Sequence, residues 1–212
     1  MKIRKYLNEE DWFDLDEMLD LIEKDCKPFL KDWKRSGAND FLYTGRKNLG
    51  EFEKRKVRKN REPKDTPVEL HHLVDKWFHK KFGIKARSNV VFCTFDVDEV
   101  YRYGDPYFVF PIGKYKAISS PMIQDLFLTM QSESYHTKDI PMAGFSFSKN
   151  GFKDLDKLPD IKQKVIDNII KKMEKSKYTD KLIVHQNEIM LWCKEYYLVS
   201  DEYGNNLLKR FQ

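Results

Sequence analysis

Residues Val184 to Val199, VHQNEIMLWCKEYYLV, set the carboxylate of Glu188 at the head of a largely apolar run, with Glu195 seven residues on. Gln186 lies two residues before it. Residues two apart in a strand project to the same face of the pleat, so the pair would share one surface. Burying such a pair costs free energy unless it is hydrogen-bonded or put to chemical use. The pattern predicts a long final strand beginning at Leu182, with Glu188 as the leading candidate for chemistry. An edge strand with one wet face is the alternative reading of the same residues.

Other constellations are sparser. Five histidines are scattered, and His72 and His79 stand seven apart with no Cys or acid at ligand spacing, so no metal site is expected. Asp96, Asp98 and Glu99 cluster at a predicted helix start, where interaction with the helix dipole accounts for them. No GxGxxG, P-loop, GxSxG or HExxH occurs, which argues against Rossmann dehydrogenases, P-loop NTPases, α/β hydrolases and zincins. The sharpest charge feature is the stretch from Lys54 to Lys64. It carries seven Lys or Arg residues against one acid, Glu62, and so outweighs the net charge of +5 of the whole chain. Arg55, Lys56, Arg58 and Lys59 are its candidates for contact with an anionic macromolecule. A solvated, flexible loop is the alternative, since no aromatic residue is interleaved as a stacking platform.

These residues need a scaffold. At 212 residues, 41% of them hydrophobic, the chain is long and apolar enough to build a full core. Cys26, Cys93 and Cys193 are far apart and form no CxxC, which points to reduced thiols in a cytosol-like compartment. The first residues, MKIRKYLNEEDWF, lack an apolar signal core, and no window reaches membrane-span length, so a soluble intracellular protein without membrane contact is expected.

A helix is predicted over 8–35, started by Asn8 and the acids Glu9, Glu10 and Asp11, with Trp12, Leu15, Leu19 and Ile22 as its stripe. Pro28 opens a further turn carrying Phe29, Leu30 and Trp33, and Ser36-Gly37 ends the segment. A strand over 41–43 is closed by Thr44-Gly45-Arg46. Thr66-Pro67-Val68-Glu69 reads as a capping box with Pro at the first helical position, opening a helix that stops at Gly83. Strands are expected over 89–94, 107–112 and 115–118, and helices over 96–103, 121–130 and 155–176, the last interrupted near Pro159. Residues 132–153 are polar and turn-rich, a candidate mobile loop. The simplest parse is one α+β domain over 1–212, with the helical segment 1–37 packed on its side.

Three blocks, in order, carry a resemblance. They are FLYTGR (Phe41 to Arg46), RSNVVFCTFDVDEVYRYG (Arg87 to Gly104) and HQNEIMLWCKEYYLV (His185 to Val199). Together they resemble the ADP-ribosyltransferase fold. In that family a first strand often ends in Tyr-Arg-Gly, and a middle strand reads apolar-x-Ser-Thr-Ser. A late strand bears the catalytic Glu, preceded at two residues by Glu or Gln. The chain also resembles a group of tailed-phage proteins. Two departures stand out: Thr44 occupies the place of the Tyr-Arg-Gly arginine, with Arg46 two residues late, and Cys93 leaves Thr94 as the one hydroxyl of the middle strand.

The resemblance implies an ADP-ribosyltransferase-like split β core with flanking helices and an N-terminal helical segment. It implies NAD as substrate, Glu188 stabilising the oxocarbenium-like state and Gln186 orienting the acceptor. Arg46 or Arg87 would clamp the pyrophosphate, Thr94 would support Glu188, and Tyr103 or Tyr101 would stack on nicotinamide, core packing being the stronger reading for Tyr101. The acceptor would be a host protein or nucleic acid in the host cytoplasm. Water as acceptor, giving an NAD glycohydrolase, and a non-enzymatic phage accessory protein that keeps the fold are the alternatives.

Overall fold

The computed structural model describes residues 14–63, 66–136, 147, 152 and 155–212. The first helix, α1 (Leu15–Asp25), starts where the Asp14 carboxylate accepts the backbone N–H groups of Asp16 and Glu17 at 2.9 and 3.2 Å. That satisfies two of the donors a helix start leaves open. The expected start at Asn8 to Asp11, with Trp12, falls outside the described residues. Cys26 separates α1 from α2 (Lys27–Ser36), so the single predicted helix is two, and α2 ends at Gly37 with φ 71°. Met18, Leu19 and Ile22 of α1 and Phe29, Leu30 and Trp33 of α2 are buried.

The strands form two antiparallel sheets. One has the order β1 (Tyr43–Arg46), β4 (Asp105–Pro111), β7 (Glu195–Ser200), β2 (Phe52–Lys56); the other runs β3 (Val91–Cys93), β6 (Ile189–Trp192), β5 (Lys116–Ser119). A single bridge joins them: Tyr43 N–H donates to Thr94 O at 2.8 Å and Thr94 N–H returns to Tyr43 O at 3.1 Å. The mixed α+β class expected from the sequence is therefore present. The predicted long final strand is not one strand. It breaks at Cys193-Lys194, and its halves, β6 and β7, belong to different sheets. Thr44-Gly45-Arg46, expected to close β1, lies within it.

Helix α3 (Val68–Phe82) begins after Pro67 with no side-chain cap, so Thr66 makes no capping box. A short α4 (Val97–Val100) follows β3, and α5 (Leu126–Tyr135) begins five residues later than predicted and runs into the expected loop. Most of the remainder of that loop lies outside the described residues. A 3₁₀ turn at Leu155–Lys157 and α6 (Pro159–Lys175) match the interrupted helix, and α7 (Gly204–Phe211) closes the chain.

Two apolar clusters hold this together. The first packs α1, α2 and α7 on the four-stranded sheet, centred on aromatic contacts such as Trp33 stacked on Phe41 at 4.3 Å. The second packs α3, α5 and α6 on the three-stranded sheet through Val74, Phe78, Met130, Ile169 and Met190. Among the described residues, no helix is long and apolar enough to cross a membrane.

Candidate functional site

Glu188 ends the segment His185 to Glu188 that leads into β6, one residue before the strand, and not inside it. This segment is tied down on every side. Glu188 N–H donates to Gln124 O at 2.8 Å, and Asn187 Nδ2 donates to Ser120 O at 3.0 Å. His185 Nδ1 accepts Asn187 N–H at 3.1 Å, which leaves its Nε2–H to donate to Ser119 Oγ at 2.9 Å. Thr94 Oγ donates to Gln186 O at 2.8 Å and accepts Asp96 N–H at 3.0 Å. The carboxylate is fixed because its backbone neighbours are hydrogen-bonded to the ends of β3 and β5.

One arginine nitrogen reaches both carboxylate oxygens: Arg87 donates to Glu188 Oε1 at 3.0 Å and Oε2 at 3.3 Å. The two side chains are only 10% and 18% exposed. Burial raises the Glu188 pKa, the Arg87 charge opposes that shift, and Asp125 adds to it. The Leu126 N–H, at the start of α5, also holds the ionised form. Glu188 thus sits in a poorly hydrated place where electrostatic interactions are strong.

Arg87 is itself anchored from below. The Asp75 carboxylate on α3 accepts the N–H groups of Arg87 at 2.7 Å and Ser88 at 3.3 Å, and also the Ser88 hydroxyl. Since the Ser88 proton goes to Asp75, His71 Nε2–H donates to Ser88 Oγ at 2.9 Å. Burial lowers the His71 pKa, against the Asp75 charge, and His71 Nδ1 is buried without a partner among the described residues. Ser88 and His71 are buried, so this Asp-Ser-His group is a support for the Arg87 turn and not an exposed nucleophile.

Further cations gather around the pair. The guanidinium carbons of Arg61 and Arg87 lie 4.6 and 4.7 Å from the centre of the Phe92 ring on β3. Arg61 is exposed, yet desolvation lowers its pKa, followed by the charges of Arg87 and Arg46. On the far side of Arg46, the turn after α4 packs against β1. A Cβ at Gly45 would lie 2.7 Å from both Tyr103 Cβ and Val100 O, and Gly104, at φ 143°, brings its Cα close to Arg46 O. Tyr103 is raised in pKa mainly by desolvation, then by the charges of Asp125 and Glu188.

The structure brings Glu188 and Arg87 into contact, while Arg46 Nη1 donates to Gly45 O at 3.0 Å and Tyr103 packs over Gly45 on the same strand. Thr94 acts on the backbone before Glu188. The Gln186 side chain is exposed, and its carbonyl is the group in use. Tyr101 is 60% exposed, so its expected core packing does not hold. The basic run is not one free loop. Lys54 and Arg55 lie in β2 and are ion-paired to Glu195 and Glu53 at 3.4 and 2.8 Å, whereas Lys56, Arg58 and Lys59 are exposed. Sequence reasoning missed Arg61, Phe92, Asp75, Ser88 and Asp125. The four-residue spacing of His71 and Asp75 on a helix was the one available signal, because it stacks them on one face.

A buried carboxylate beside a group of arginines can hold an anionic ligand and stabilise positive charge that develops near it. No protein-family description, characterised protein or solved structure matches this chain.

Proposed function

We propose that this chain is an NAD-dependent ADP-ribosyltransferase, phage-encoded and acting in a host cell. The observation that carries the reading is the Glu188–Arg87 pair, held by the segments that lead into β6 and β3 of the three-stranded sheet, with Arg61 over the same Phe92 ring as Arg87. The two sheets joined at a single bridge also support the split β core that the resemblance implies.

The chemistry follows from the charges. A dinucleotide pyrophosphate is a stronger partner for guanidinium groups than one carboxylate, so it would draw Arg87, with Arg61 and Arg46, onto its oxygens. Glu188 would then be free to accept a hydrogen bond from the ribose and to stabilise the oxocarbenium-like state as nicotinamide leaves. Tyr103, exposed beside Glu188, offers a face for the nicotinamide ring. Gln186, one bend before Glu188, is at the surface where an acceptor would arrive.

A second reading has its own observation. Arg87 already neutralises Glu188, and an accessory protein that binds an anionic partner needs no free carboxylate. Labelled NAD separates the two. Release of nicotinamide by the wild type and its loss in Glu188→Gln, which still melts cooperatively, support the enzyme. Retained turnover in folded Glu188→Gln removes Glu188 from catalysis, and absence of NAD binding by the wild type favours the accessory reading.

A further inference from the structure

The exposed half of the basic run does not point away from the site. Val57 N–H donates to Lys194 O at 3.1 Å, Asn60 N–H to Asn89 Oδ1 at 3.0 Å and Arg61 N–H to Ser88 O at 3.0 Å. These bonds lay residues 57–61 from the β6–β7 turn to the turn that carries Arg87. Arg58 and Lys59 lie in this segment and Lys56 ends β2 just before it; all three are exposed, and among the described residues none has a carboxylate within ion-pair distance. Their neighbours Lys54 and Arg55 are paired. Arg61, three residues on from Arg58, lies over the Phe92 ring that it shares with Arg87.

Tyr103 lies against β1: a Cβ at Gly45 would meet Tyr103 Cβ at 2.7 Å, and Tyr43 of the same strand bridges to Thr94, which holds the Gln186 carbonyl. Tyr101 and Tyr103 are 60% and 65% exposed, and Glu99 beside them is ion-paired to Arg102 at 3.0 Å. Both rings are open to solvent in the turn that follows α4, beside the strand whose bridge leads to the Glu188 segment. A row of uncompensated cations followed by open aromatic faces is the combination that binds single-stranded nucleic acid. Phosphates follow the charge and unstacked bases lie on the rings. A duplex hides its base faces, and a reactive base must leave the stack to reach a buried group.

We infer that the acceptor is single-stranded nucleic acid, held along Lys56, Arg58 and Lys59 and delivering a nucleotide past Tyr101 and Tyr103 to Glu188. This rests on the transferase reading above. In the transfer, the bond between ribose C1′ and the nicotinamide nitrogen breaks, and its electron pair leaves with neutral nicotinamide. A lone pair on an acceptor nitrogen or oxygen forms the new bond to C1′, and the proton it sheds passes to water.

The test uses the full chain, labelled NAD and 20-mer homopolymer DNA and RNA, with duplex DNA and a total protein extract as competing acceptors. Wild type, Lys56→Ser/Arg58→Ser/Lys59→Ser and the single Arg58→Ser are compared, each with a melting curve. Label is expected on single strands, and the triple variant should lose at least tenfold in that labelling while hydrolysing NAD in water at the wild-type rate. Binding of the single strand should weaken with salt, and the triple variant should reduce the slope of log K against log salt by about 2, at roughly 0.7 per phosphate contact. Label on protein alone, label on duplex in preference to single strand, or single-strand labelling unchanged in both variants would overturn the inference while NAD hydrolysis stood. If the triple variant melts early, the same comparison in Arg58→Ser decides. Wild-type protein that neither binds nor hydrolyses NAD would bring down the transferase reading itself, a result distinct from each of these.

Discussion

Removing the Arg87 side chain should cost stability in a way that depends on pH. Glu188 is 18% exposed beside Arg87, and Arg87→Ala removes its cationic partner while the Asp125 charge still acts against ionisation. Breaking a buried pair from one side typically costs about 3–5 kcal/mol, because a desolvated charge is left behind. Glu188 has an escape, which is to take up a proton. From an unfolded value of about 4.3, protonation costs roughly 3.7 kcal/mol at about pH 7 and roughly 1.6 kcal/mol at about pH 5.5, which caps the charge penalty at each pH. The sign follows from linkage. A carboxylate whose folded pKa lies above its unfolded value weakens the fold at high pH, and the weakening fades as pH falls toward the unfolded value. The expected loss is therefore about 2–3.5 kcal/mol at about pH 7, or a fall in Tm of roughly 5–12 °C for a chain of this size, shrinking below about 2 kcal/mol at about pH 5.5. Denaturant melts at both pH values measure it, beside the double variant Arg87→Ala/Glu188→Gln, which should recover at least half of the neutral-pH loss. A loss equal at both pH values, with no recovery in the double variant, would refute the reasoning. Arg87 would then act through its packing on Phe92 and not through Glu188.

Glu188→Gln should abolish nicotinamide release and destabilise by about 1–3 kcal/mol, since Arg87, 10% exposed, keeps its charge and loses its anionic partner; a melting curve beside the NAD assay checks both. Asp75→Ala should destabilise by about 3 kcal/mol, because two N–H groups and a hydroxyl lose their acceptor, and should raise the apparent KM for NAD more than it lowers kcat if the fold persists. Gly45→Ala should cost about 1–3 kcal/mol, read by denaturant melt, since its Cβ would lie 2.7 Å from backbone at Val100 and from Tyr103 Cβ. Burial pushes the Cys193 thiol up to about 12 and Cys26 and Cys93 higher, so an alkylating reagent at about pH 8 should label none of the three until the protein is unfolded, as mass spectrometry would read.

Local chemistry determined a good part of this molecule. The apolar stripe of Leu15, Leu19 and Ile22, Gly37 and Gly83 as helix ends, and the interruption at Pro159 each act over a few residues, so their spacing alone could be read. Glu188 stood out as a candidate for the same reason: a carboxylate directly before the apolar residues Ile189 to Trp192 is a local anomaly. The break at Cys193-Lys194 was not, because β6 and β7 carry the same apolar, aromatic pattern and differ only in which distant strands they pair with, Val91–Cys93 and Lys116–Ser119 for one, Phe52–Lys56 and Asp105–Pro111 for the other. Tertiary structure alone set Arg87 against a glutamate 101 residues away and folded Arg61 onto the same ring. It also divided the basic run, pairing Lys54 and Arg55 with acids on β7 and β2 and leaving Lys56, Arg58 and Lys59 exposed. Charge counts along a chain carry no information on which cations will find a partner. Pairing depends on sheet register, and register is set by strands far apart in sequence.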